Sequence, residues 1–229
     1  MRTACFVDGY NLFYGLLAGT PYKWLNLPTL LSHIVQVQDP SSNVVSISYF
    51  TSGVKPDLAT RGIASKEAQD TYIRALKAKG VDVFFGRHRL EPGRAPRFIT
   101  KDTPASRTDQ VDVWLLEEKE TDVHIAISMY RLAAKQASLP IDERIDQLVL
   151  VSADTDMTPA LRALREDFPQ MRLGVILPHR EGIKRNPPGS LHEFSHWMRR
   201  HVSIKELETH QFPDRVPTRK APAQKPDYW

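Results

Sequence analysis

The chain has 229 residues, 41% of them hydrophobic and 25% charged, with a net charge of +4. That is enough for one sizeable domain with at most a small appendage, and it excludes a low-complexity chain; no apolar run nears the roughly 20 residues of a membrane span. A single cysteine excludes an internal disulfide framework, and Asp8 stops the first apolar run, so a signal peptide is not expected and the chain reads as cytoplasmic.

Apolar runs alternate with amphipathic stretches, the pattern of an α/β domain with a parallel sheet. Residues 3–7 (TACFV) predict a first strand that runs directly into Asp8, Gly9, Tyr10 and Asn11. Asn11 also reads as the cap of a short helix, NLFYGLL. Residues 27–37 predict a helix with Pro28 in its first turn, and residues 43–50 (NVVSISYF) a second strand. Residues 65–79 have helical spacing, with Ala68, Tyr72, Ile73 and Leu76 on one side and Gly80 as the stop. Residues 81–85 predict the third strand.

The rhythm then breaks. From Gly86 to Arg107 there are six basic residues, Arg87, Arg89, Arg94, Arg97, Lys101 and Arg107, against Glu91 and Asp102. A basic hairpin insertion over about residues 86–110 is expected, turning at Glu91-Pro92-Gly93. Residues 111–116 are either a strand or an extended packing segment. Residues 122–136 predict a helix burying Val123, Ala126, Ile127, Tyr130 and Ala133. Residues 147–151 (QLVLV) predict a strand, 155–167 a helix, 172–177 the last strand and 191–201 a further helix. Two more basic clusters are Arg180, Lys184 and Arg185, and Arg199, Arg200 and His201. From Thr209 onward the chain is rich in Pro and basic residues, so residues 1–201 read as the domain and 202–229 as a C-terminal arm or disordered tail.

The strand ends carry the chemistry. Asp8 follows the first strand, Asp154 and Asp156 follow the strand at 147–151, and Asp122 opens a helix. Each has a local explanation: a turn for Asp8, a helix-start charge for Asp122, a cap for Asp154 or Asp156. Ligands of open parallel sheets bind outside the carboxyl ends of the strands, where these sequence-distant acids would gather. Like charges held together call for a cation, and a hard divalent ion suits oxygen ligands. Cys5 reads as core. The histidines lack zinc-site spacing, and neither a GxxxxGK[ST] phosphate loop nor GxGxxG occurs.

FVDGYNLFYG, EKETDVHIAISM and LVLVSADTDMTPAL, in that order, resemble the three signature segments of NYN domains, within the PIN-like ribonuclease superfamily. The resemblance spans roughly residues 3–180 and implies a three-layer α/β/α sandwich around a mainly parallel, Rossmann-like sheet. It implies Asp8 as the first-strand metal ligand, with Asn11 helping to order the site. Asp122 matches the acid of the middle segment; Asp154 and Asp156 match the acidic pair, with Ser152 beside them. The pattern departs at Ser128, where NYN domains often place another Asp.

The implied activity is a metal-dependent endoribonuclease in which Asp8, Asp122, Asp154 and Asp156 hold Mg²⁺ or Mn²⁺. A water would then hydrolyse the RNA phosphodiester without a covalent intermediate. The substrate is RNA, single-stranded or structured, gripped along its backbone by Arg87, Arg89, Arg94, Arg97, Lys184 and Arg185. Tyr10, Phe13 and Tyr14 either stack on a base or pack in the core. The alternatives are an RNA- or protein-binding module with little catalysis, to which Ser128 points, and a phosphohydrolase of small esters. A homo-oligomer is open, and no membrane partner is expected.

Overall fold

The computed structural model describes residues 1–136, 138–183 and 186–229. Period-two alternation builds the central strand: in β1 (Arg2–Asp8), Ala4 and Phe6 enter one core and Cys5 and Val7 the other, all four buried. β2 (Asn43–Thr51) and β3 (Asp82–Phe85) follow, then the hairpin strands β4 (Arg87–Pro96) and β5 (Gln110–Lys119), then β6 (Gln147–Val151), β7 (Arg172–Ile176) and β8 (Trp197–Arg199). The main sheet has six strands in the order β3-β2-β1-β6-β7-β8, and every neighbouring pair is parallel. Strands buried on both faces read as continuous apolar runs, and all of β6 is buried.

Helices cover both faces, completing an α/β fold. The short α1 (Gly9–Leu12) follows β1. α2 (Leu27–Gln38) and α3 (Ile63–Ala78) bring Leu30, Ile34, Tyr72 and Leu76 against Cys5, Val7, Val149 and Val151. On the other face, α4 (Thr121–Gln136) and α5 (Thr158–Asp167) bring Ile125, Met129, Leu161 and Leu164 against Ala4, Phe6, Leu148 and Leu150. Each such large aliphatic side chain contributes about 1.5–3 kcal/mol on burial. Among the described residues no helix is long and apolar enough to cross a membrane.

Three expectations are corrected. The hairpin does not turn at Glu91-Pro92-Gly93: β4 continues through it, pairing Pro92 with Trp114 and Gly93 with Val113, and the connection lies in 97–109. A Cβ on Gly93 would lie 2.4 Å from Leu115 Cδ1 across the strand, so a side chain here would displace that leucine. Residues 111–116 accordingly belong to β5. The buried face of α4 is Thr121, Ile125, Met129 and Ala133, while Val123, Ile127 and Tyr130 are exposed. The buried Thr121 side chain, bonded to Glu118, lies on the same face.

Residues 191–201 form no single helix. α6 (Gly189–Glu193) is short, and β8 then becomes the sheet's edge strand, with Trp197 lying where a Cβ on Gly174 would be, 2.3 Å from its ring. Of the two readings of the segment from Thr209, arm or disordered tail, the structure has an arm. α7 (Ile204–Thr209) carries a Ser203–Glu206 capping box, and β9 (Arg215–Val216) pairs with β10 (Ala223–Gln224). Phe212, Val216 and Ala223 are buried in the same core as Trp24 and Tyr72, and Trp229 packs against it. The arm has few apolar residues, but the Trp24 indole donates to the Pro213 carbonyl at 2.8 Å and fixes where they dock.

Candidate active site

The strand order reverses between β1 and β6, which opens a crevice at their carboxyl ends. Asp8 ends β1 in that crevice and is 3% exposed. It caps α1: Oδ1 accepts from the Asn11 backbone at 3.0 Å, and Oδ2 accepts from Asn11 Nδ2 at 2.6 Å and Ser152 Oγ at 3.0 Å. Gly9 is required here, because a Cβ would meet the Phe50 carbonyl and the Tyr49 ring at 2.7 Å. The Asn11 side-chain oxygen accepts from the Ala153 backbone at 3.3 Å, and Ser152 Oγ accepts from the Asp154 backbone at 3.1 Å. The tips of β1 and β6 are thus stitched into one unit. Asp154 accepts from the Asp156 backbone at 2.9 Å, so capping and a place in the crevice coexist in the same residue.

Electrostatics tie the acids together. Burial pushes the Asp8 carboxyl up, hydrogen bonds from Asn11 and Ser152 pull it down, and the charge of Glu118 adds to the rise. Asp122, in the first turn of α4, is pushed up to about 6 by burial and then by the charges of Asp8, Asp154, Glu118 and Asp156. Among the described residues no Lys or Arg forms an ion pair with any of these five carboxylates. Uncompensated negative charge with hard oxygen donors fits a hydrated divalent cation in charge and chemistry. The described acids do not by themselves form a closed cage: no group of three or more His, Cys, Asp or Glu is gathered to hold an ion. Ser128 is half-buried on α4.

Sequence reasoning missed Glu118. It arrives on β5, outside the main sheet, where Ser52 Oγ and Thr121 Oγ1 donate to it at 2.8 and 2.6 Å. Glu120 follows in the left-handed region at φ 79°, turning the chain from β5 into α4. The run EEKETD held the residue in plain sight, but nothing local says which of its acids faces the crevice. Tyr10 and His88 also form an unforeseen pair at 2.8 Å. His88 Nδ1 lies 3.0 Å from the Gly53 carbonyl, which can only accept; Nδ1 therefore carries the proton and Nε2 accepts from the tyrosine. Phe13 packs partly into the core, while Tyr14 is 66% exposed.

The hairpin arginines are ion-paired on the surface: Arg87 with Glu120 at 3.7 Å, Arg89 with Glu91, Arg94 with Asp112 at 3.5 Å and Arg97 with Asp109 at 3.1 Å. Arg87 sits at the hairpin base, beside the crevice. Arg94 is about 23 Å of strand farther out, at about 3.3 Å per residue, and Arg97 lies beyond it. Lys184 and Arg185 lie outside the described residues.

The family model described as NYN domain matches residues 2–182. The chain is 32% identical, over 254 aligned positions, to 6-hydroxy-3-succinoylpyridine 3-monooxygenase HspA of Pseudomonas putida, covering all of this chain and 75% of that protein. A crystal structure of a protein of unknown function from Vibrio parahaemolyticus shares the fold, with a TM-score of 0.50 at 16% identity. It covers 89% of this chain and 92% of its own.

Proposed function

This chain belongs to the NYN domain family, a PIN-like nuclease family, and we propose that it is a metal-dependent endoribonuclease. One observation carries the reading: Asp122 is pushed up to about 6 by burial and four other carboxylates, so the crevice stabilises either a cation or a proton. Asp8, Asp122, Asp154 and Asp156 would hold Mg²⁺ or Mn²⁺, with water filling out the shell. When bound, the cation would orient a water towards phosphorus and offset charge on the phosphate oxygens. Asn11 and Ser152 hold the Asp8 carboxylate in one orientation, and the Ser52 and Thr121 hydroxyls do the same for Glu118. Arg87 and Arg89 exchange their surface ion pairs, worth about 0–1 kcal/mol each, for backbone phosphates. Arg94 and Arg97 extend that contact along the hairpin, and Lys184 and Arg185 are proposed as further backbone contacts from their charge alone.

A second reading, an oxygenase of small aromatic acids, is favoured by the 32% identity across the whole chain to a protein named as a monooxygenase. Oxygen uptake with a two-electron donor and 6-hydroxy-3-succinoylpyridine tests it. The ribonuclease reading is tested by cleavage of single-stranded RNA with Mn²⁺ or Mg²⁺. Asp8→Asn and Asp154→Asn should each abolish cleavage, and robust cleavage surviving both removes the site.

A further inference from the structure

A second concavity begins where the carboxylate crevice ends. Gly9 and Tyr10, the two residues after Asp8, form its inner end, and it encloses about 480 Å³. Small-molecule sites commonly fall at roughly 300–1,000 Å³. Its walls are aromatic: Tyr10, Tyr14, Tyr49 and Tyr72 from the domain, and Tyr228 and Trp229 from the C-terminal arm. Tyr49 and Tyr72 are buried, and Tyr72 is anchored by its hydroxyl to the Leu25 carbonyl at 2.9 Å, so the walls are preformed. The arm is anchored too: the Tyr228 hydroxyl donates to the Ala64 carbonyl at 2.9 Å, and the Trp229 ring lies 5.9 Å from that of Tyr72.

The charge of the cavity is one-sided. Lys23, Lys55 and Arg61 line it, and among the described residues no Asp or Glu side chain does. Neither lysine forms an ion pair with a described acid, and the Arg61 guanidinium lies 4.5 Å from the centre of the Tyr228 ring. A cation-edged aromatic cavity thus abuts an anionic crevice, and a ligand spanning both must have an apolar planar part and an anionic part placed away from the carboxylates.

We propose that this cavity binds a planar aromatic ring bearing a carboxylate or phosphate. The ring lies against the tyrosine and tryptophan walls, and the anion meets Lys23, Lys55 and Arg61. Stacking of one ring is worth about 1–3 kcal/mol, and the cations at the rim add specificity for the anion. The ligand class follows from the walls and rim alone and rests on neither catalytic reading; a nucleoside monophosphate and a pyridine carboxylic acid both belong to it.

The test titrates the full chain in EDTA with a 5′-mononucleotide and separately with a pyridine carboxylic acid. Tryptophan fluorescence and calorimetry are the readouts. At least one should bind with a Kd of roughly 1 mM or tighter, and the matching ring without its anion about tenfold more weakly. Lys55→Glu should weaken binding about tenfold, and Tyr14→Ala, at an exposed position that leaves the fold intact, a few-fold. Lys135→Glu, exposed on α4 across the sheet, should leave binding unchanged. Binding of the nucleotide alone assigns a base subsite, and of the pyridine acid alone a metabolite site; either supports the proposal. Failure of both ligands, or binding indifferent to Lys55→Glu and Tyr14→Ala, overturns it. Absence of RNA cleavage alongside ring binding removes the ribonuclease reading and leaves this one standing.

Discussion

Replacing Asp122 by Asn should stabilise the metal-free protein at alkaline pH and not at acid pH. The carboxyl stands at about 6 in the fold against an ordinary 3.8, so the folded state binds the extra proton. Stability therefore falls as pH rises from about 4 through 6, and the full penalty is present above 6. At 1.36 kcal/mol per tenfold in acidity, the rise caps the penalty at about 3 kcal/mol. Asp122 is half-exposed, and its place in the first turn of α4 returns part of that through the helix dipole. A net gain of about 1 kcal/mol is expected at pH 8 and low salt, or about 2–4 °C in Tm for a chain of this size. Thermal and urea unfolding of both proteins in EDTA at pH 4 and pH 8 measures it. Saturating Mg²⁺ or Mn²⁺ at pH 8 should stabilise the wild type by relieving the same repulsion, and the Asn variant less. An equal shift at the two pH values, or destabilisation at pH 8, would refute the claim that converging carboxylates load Asp122.

Two further substitutions probe the wall of the crevice and the docking of the arm. Gly9→Ala forces a methyl into the Phe50 carbonyl and the Tyr49 ring, so urea unfolding should show a loss of about 1–3 kcal/mol and RNA cleavage should fall with it. Phe212→Ala removes an edge-on ring 5.7 Å from that of Trp24, and should cost about 3–5 kcal/mol by chemical denaturation.

Much of the fold was legible because its signals are local. Continuous apolar runs mark β1 and β6, helical spacing and Gly80 mark α3, and acids at or within three residues of the ends of the two central strands mark the crevice. The motifs around Asp8, Asp122 and Asp154 carried the family for the same reason. The buried stripe of α4 was misread because several faces of that helix are apolar, and the packing of Ile125, Met129 and Ala133 against the sheet chooses among them.

What the sequence by itself determined is the parallel α/β sheet, the acids at its strand ends and membership of a family. What tertiary structure decided is the neighbourhood of those acids. Glu118 joins Asp122 only because β5 pairs over its whole length with β4, and Glu-Pro-Gly reads as a turn until Trp114 and Val113 are seen across from it. The arm reads as disordered by composition, because its few aromatic residues gain their burial from Trp24 and Tyr72, far away in the chain. Hydrogen bonding and periodicity within a segment act over a few residues and leave a written pattern. The mutual repulsion of carboxylates from separate elements acts through space, and exists only once the chain has folded.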